Sequence, residues 1–135
     1  MPPLGPQEYG ESKTYFDSYK KLTPEWRAAA AAKSIEPAAK KDVTAAGFIE
    51  DYHSFASMMN SAGLFAYNES TGIDFTVTMR TNDGTGSGWV TRDYNDISKL
   101  DTAEASNIAI SKAVMSREAK AIEPGKYTVI LEPSA

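Results

Sequence analysis

Ile73-Asp74-Phe75-Thr76-Val77-Thr78-Met79-Arg80 decides the fold. Ile73, Phe75, Val77 and Met79 fall on one side of an extended chain, and Asp74, Thr76, Thr78 and Arg80 on the other. That strict alternation marks a strand in a sheet with one buried face and one wetter face. Working outward, Thr71-Gly72 reads as a turn before this strand and Leu64 to Asn68 as the strand preceding it. Asn60-Ser61-Ala62-Gly63 is a turn cluster, with Phe55 to Met59 before it. Asp51-Tyr52-His53 reads as a further turn, and Ala45 to Glu50 as the first strand. On the other side, Asn82-Asp83-Gly84 turns the chain into a strand through Trp89, Val90 and Thr91. Five consecutive strands on short turns are predicted to pair largely antiparallel, because parallel pairing needs longer crossovers.

Two helices flank this block. Thr23 is a good N-cap, Pro24 suits the first helical position, and Glu25 favours the positive end. The run Ala28–Ala32 favours helix by propensity. Ala28, Ala31, Ile35, Ala38 and Ala39 form a narrow apolar stripe expected to pack on the sheet, and Pro37 predicts a kink or break near Glu36. Asp101 opens the second helix with Glu104 three residues on, and the helix runs from Ala103 to Arg117. After Pro124-Gly125, Lys126 to Leu131 is dense in strand formers and reads as a last strand. The predicted class is α+β, a largely antiparallel sheet with two helices packed on it, in the order α-β-β-β-β-β-α-β. Residues 1–22, broken by Pro2, Pro3, Gly5, Pro6 and Gly10, form an extended arm. Its Tyr9, Tyr15, Phe16 and Tyr19 supply docking anchors. Residues 23–135 form one domain.

The 135 residues suit a single core, and 41% hydrophobic with 24% charged residues is an ordinary globular composition. One His and no Cys argue against a self-contained zinc site and exclude disulfides and cysteine nucleophiles. Lack of cysteine fits the cytoplasm. The net charge of −4 is unevenly spread. Residues 45–97 carry only Arg80 and Arg92 against seven carboxylates, so the middle of the chain would repel a phosphate backbone. No nucleic-acid partner is expected. The N-terminus has neither a basic n-region nor an apolar h-region, and no apolar run approaches the roughly 20 residues of a membrane span. No membrane partner is expected either.

The local motifs each carry a plain structural reading. Gly84-Thr85-Gly86-Ser87-Gly88 precedes a strand rather than a helix, so it offers no helix N-terminus to a phosphate. Its glycines relax a hairpin or leave room for a neighbouring backbone. Gly86 and Gly88 fall on one face and leave a trough beside Trp89. These three residues are the candidate contacts for a peptide or partner. His53 with Asp51 and a serine would imitate a hydrolytic triad, but no nucleophile elbow is present, and a turn histidine is ordinarily solvated. Glu50 and Asp51 point to opposite faces, Asp93 and Asp96 serve turns, and Met58-Met59 are core or docking residues. No catalytic residue and no metal ligand is assigned.

Three stretches together resemble the TldD/PmbA family, also called modulator-of-DNA-gyrase proteins or peptidases. They are Asn60–Tyr67 leading into Asp74–Thr81, then Asp83-Gly84-Thr85-Gly86-Ser87-Gly88-Trp89, and the closing Glu123-Pro124-Gly125-Lys126-Tyr127-Thr128-Val129-Ile130-Leu131-Glu132-Pro133. The Thr-Pro-Glu helix start and Thr44-Ala45-Ala46-Gly47-Phe48 fit as well. The resemblance covers roughly residues 20–135 and places them in part of the N-terminal domain of a longer protein.

The resemblance implies a zinc-dependent peptidase system of the bacterial cytoplasm that matures or degrades peptides inside a closed dimer. TldD-type members carry an H-E-x-x-x-H zinc helix, and PmbA-type partners lack it. That motif is absent here, so no zinc is expected in this chain, only in a TldD-type parent or partner. The implied partners are the remainder of its own polypeptide, a homodimer or TldD/PmbA-type heterodimer subunit, and an unfolded peptide. The function so implied is that of a non-catalytic portion of such a peptidase, shaping the peptide chamber or a subunit interface. A free-standing interaction module using the same sheet is the alternative.

Overall fold

A computed structural model describes residues 2–131. Helix α1 (Pro24–Ala39) leads into strands β1 (Val43–Met59), β2 (Phe65–Thr81) and β3 (Ser87–Tyr94), and helix α2 (Thr102–Met115) follows. The strands form one antiparallel sheet in the order β1-β2-β3. Both helices pack on one of its faces, which makes the domain α+β as its sequence indicates.

The anticipated strand holds: Ile73, Phe75, Val77 and Met79 are all buried. With Val43 and Val90, Phe75, Val77 and Met79 meet Ala105, Ala109, Ile110 and Ala113 of α2 and Ala38 of α1. Small residues on the helices let the helix backbone approach the sheet closely, so larger strand side chains fill the core.

The strand count is three rather than five before α2. Asp51-Tyr52-His53 and Thr71-Gly72 are not turns; the 17-residue β1 and β2 run straight through them, with Tyr52 opposite Gly72 and His53 opposite Thr71. Gly72 stays in the strand because the Tyr52 ring covers its bare α-carbon, where an added Cβ would come 2.2 Å from the ring. The hairpin reverses at Asn60–Leu64, where Asn60 Oδ1 accepts from the Ala62 and Leu64 amides and Gly63 takes φ +86°. Lys126–Leu131 forms no strand: it has no ladder partner and lies exposed.

Helix α1 also departs from its pattern. It is continuous to Ala39, because Pro37 sits in the last turn and removes only one late hydrogen bond. Its buried stripe is Ala30, Ser34 and Ala38, while Ala31 and Ile35 face outward. Burial of Ser34 is tolerated because its hydroxyl lies 2.8 Å from that of Ser106 on α2. The caps are as read: Thr23 Oγ1 accepts from the Trp26 amide, and Asp101 accepts from the Ala103 and Glu104 amides.

The N-terminal arm lies along β2 where β3 ends. The Thr71 amide donates to the Thr14 carbonyl, the Phe16 amide to the Thr71 hydroxyl, and Asn60 Nδ2 to the Leu4 carbonyl. No helix of the described residues is long and apolar enough to cross a membrane.

Candidate functional site

The two sheet faces divide the chemistry. The trough at Gly86 and Gly88 exists, and α2 of the same chain fills it. A Cβ on Gly86 would lie 2.1 Å from the Ala113 carbonyl oxygen, and one on Gly88 2.1 Å from that of Ala109. Both glycines therefore let a helix backbone touch the sheet, which accounts for them without an outside ligand. Trp89 points to the opposite, helix-free face and is 41% exposed. The turn before it is held by Asp83, whose carboxylate accepts from the Thr81 hydroxyl and from the amide and hydroxyl of Thr85. These donors hold its pKa at about 2.

The helix-free face brings together residues far apart in sequence. Glu50 lies opposite Asp74, and Asp74 opposite Asp93, a row of three carboxylates across three strands. Burial first, then the charges of Asp93 and Glu50, raise the Asp74 carboxyl above its ordinary range. Phe48 and Tyr52 stand exposed on β1 on either side of Glu50, and Trp89 on β3 beyond. Sequence reasoning missed this row because a supposed turn at residues 51–53 hid the register. A continuous β1 would have exposed it.

His53 lies on the helix-side face. Its Nε2 is 2.6 Å from Glu69 Oε1, and its ring packs on Tyr19 and Tyr15 of the arm, at centroid distances of 4.7 and 5.5 Å. Asp51 is engaged elsewhere, 2.5 Å from Arg27. Ser54 bonds Ser70 on the opposite face. No nucleophile, base and orienting acid converge, so His53 is a latch for the arm rather than a general base.

Among the described residues, no group of three His, Cys, Asp or Glu side chains could hold a metal ion. The carboxylate row does not fit zinc, whose sites use imidazole or thiolate ligands with tetrahedral convergence.

Beyond the end of β3 the β1–β2 hairpin continues to its turn at Asn60–Leu64, with the N-terminal arm beside it. Phe55 and Tyr67 stack at 6.5 Å on one of its faces, and Met58, Met59 and Phe65 stand exposed near the tip, Phe55 at 74% and Met59 at 69%. Met58-Met59 are thus surface residues, not core.

This arrangement has a recognised counterpart. The family model described as the PmbA/TldA metallopeptidase central domain matches residues 20–117. The chain belongs to the PmbA/TldD family. The matched description is of a central domain, where the sequence resemblance placed the piece in the N-terminal one. A crystal structure from Thermotoga maritima, of a protein described as a candidate modulator of a DNA gyrase, superposes with a TM-score of 0.80. It is 24% identical, and the match covers 90% of this chain and 29% of that one. The PmbA/TldD fold is thereby placed on this chain, which spans less than a third of that protein's length. No curated protein matches the chain significantly.

Proposed function

We propose that this PmbA/TldD domain is a non-catalytic part of a zinc-dependent peptidase of the cytoplasm, and that its sheet helps form the peptide-holding chamber or the subunit interface. The observation that carries this reading is the apolar end of the hairpin. Phe55, Met58, Met59, Phe65 and Tyr67 are clustered and exposed, and such patches on soluble domains mark surfaces that meet other polypeptide. Methionines and aromatics together suit partners of varied sequence, since thioethers repack around different side chains. The family membership supports the peptidase context, and zinc would belong to a TldD-type parent or partner.

The test is fluorescence anisotropy of a labelled, carboxymethylated unfolded polypeptide titrated with the 1–135 chain, followed by electrophoresis of the polypeptide after prolonged incubation with zinc. Saturable binding that is weakened about tenfold in a Met58→Ser/Met59→Ser/Phe65→Ser variant, with no cleavage, is expected. Chelator-sensitive cleavage would overturn the non-catalytic assignment. Absence of binding would overturn the peptide-holding one.

A further inference from the structure

β3 pairs with β2 only as far as Ile73, so the edge of β2 from Phe65 to Thr71 has no strand beside it. The N-terminal arm runs along this edge instead, in the same direction as β2. Its Leu4 carbonyl accepts from Asn60 Nδ2, its Pro6 ring lies beside Gly63, and its Thr14 carbonyl accepts from the Thr71 amide. Pro6 and Thr14 are eight positions apart, as are Gly63 and Thr71. The arm is therefore stretched over about 26 Å of strand. Between these anchors no backbone hydrogen bond joins residues 7–13 to β2. Backbone groups of a strand turn to its two edges alternately. The Thr71 amide and the Glu69 carbonyl meet the arm, so those of Phe65 and Tyr67 face the same edge, where they have no partner among the described residues.

The fastening of the arm centres on Thr71, which is fully buried. Besides the amide bond to Thr14, the Thr71 hydroxyl accepts from the Phe16 amide at 3.1 Å and donates to the Asn95 carbonyl at 3.0 Å. Ser18 Oγ donates to the Asp96 carboxylate at 2.8 Å, and the rings of Tyr15 and Tyr19 rest on His53. Yet none of residues 2–22 is buried. An element that buries no side chain and is joined by a few hydrogen bonds opens far more readily than a core strand.

We propose that residues 4–19 are a releasable strap fastened at Thr71, an autoinhibitory contact that gives way to an extended polypeptide pairing with the edge of β2 at Phe65 and Tyr67. This occupant rests on the polypeptide-holding role of the hairpin, whose exposed cluster includes the side chains of the same two residues. A segment that meets those rings lies within reach of their unpaired backbone groups, and adding a strand to a bare edge satisfies such groups. The Thr14 carbonyl already makes on Thr71 the bond that such a segment would continue. Arm and polypeptide thus compete for one edge, and apparent affinity falls with the fraction of chains whose strap is closed.

Anisotropy titration of the carboxymethylated polypeptide with two strap variants of the 1–135 chain, with hydrogen exchange read at the amides of residues 65, 67 and 71, tests this. Thr71→Val keeps the branched shape and removes the hydroxyl, while Phe16→Pro lies in the arm and removes the amide that bonds it. Each should speed exchange of amide 71 in the free chain and tighten polypeptide binding about fivefold. Bound polypeptide should slow the amides of Phe65 and Tyr67. Faster exchange at residue 71 with unchanged or weaker binding overturns the proposal. A bound polypeptide that leaves amides 65 and 67 unprotected also overturns it, as does unchanged exchange at residue 71 in both variants. Should the parent bind, and only the Met58→Ser/Met59→Ser/Phe65→Ser variant alter that binding, the hairpin reading stands and the strap alone fails. Binding by none of these chains overturns both.

Discussion

The ring of Tyr52 covers the α-carbon of Gly72, its directly opposed partner across β1 and β2. A methyl added to Gly72 would come 2.2 Å from the ring's Cζ, but the obstacle is the far end of one side chain, which can swing aside. Gly72→Ala is therefore expected to cost only about 1 kcal/mol. Tyr52→Ala, which uncovers the glycine, should cost about 0.5–1 kcal/mol. Urea unfolding measures both, and amide exchange should show the loss concentrated beyond residue 52.

Gly88 makes the opposite case. The atom an added methyl would meet is the Ala109 carbonyl oxygen, at 2.1 Å, and that oxygen belongs to the backbone of α2. Relief requires moving a helix off the sheet that holds Ala105, Ala109 and Ala113 in the core. Gly88→Ala should cost about 3 kcal/mol, well above Gly72→Ala. Equal midpoints for the two variants would contradict this packing.

The contrast between these glycines shows what the sequence could convey. The Ile73–Met79 alternation, both helix caps and the turns at 60–63 and 82–84 are local patterns, and the structure keeps them. Gly72 and Tyr52-His53 resemble turn residues because composition alone carries no knowledge of the opposing strand; a tyrosine 20 positions away is what makes the glycine acceptable in a ladder. The same blindness hid the Glu50–Asp74–Asp93 row, which exists only through register. It also made Gly86 and Gly88 look open, since the helix residues that fill their trough, Ala113 and Ala109, come 27 and 21 positions later. Ala28, Ala31 and Ile35 misled in another way: an alanine-rich helix has little amphipathic contrast, so one buried serine pair can set its rotation.

Asp74 gives the sheet an unusual pH dependence. Its carboxyl is raised above the ordinary value of 3.8 by burial and by Asp93 and Glu50. The folded chain then holds this proton more tightly than the unfolded one, so stability falls as pH rises from 3.8 through the raised pKa. Asp74→Asn should gain about 0.5–1 kcal/mol at neutral pH by removing two like-charge neighbours, with the gain vanishing below 3.8. Asp83 has the opposite sign. Its pKa of about 2 supports stability above 3.8 that is lost as pH falls toward 2. Thermal melts of the parent, Asp74→Asn and Asp83→Asn from acid to neutral pH separate the two.

Ser34 and Ser106 join the helices at the one place where α1 buries a polar side chain against α2. Their hydroxyl oxygens are 2.8 Å apart, Ser106 is fully buried, and Ser34's other acceptor, the Ala30 carbonyl, is at a long 3.5 Å. Ser106→Ala leaves the Ser34 hydroxyl buried with only that weak partner, a loss of about 1–2 kcal/mol. Ser34→Ala strands Ser106 in the same way. Replacing both removes the unmet polar group altogether, so the double variant should be less destabilised than the sum of the singles by about 1 kcal/mol. A double-mutant cycle in urea reads that difference directly. Strict additivity would mean that the serines do not couple and that alanine packing alone sets the rotation of α1.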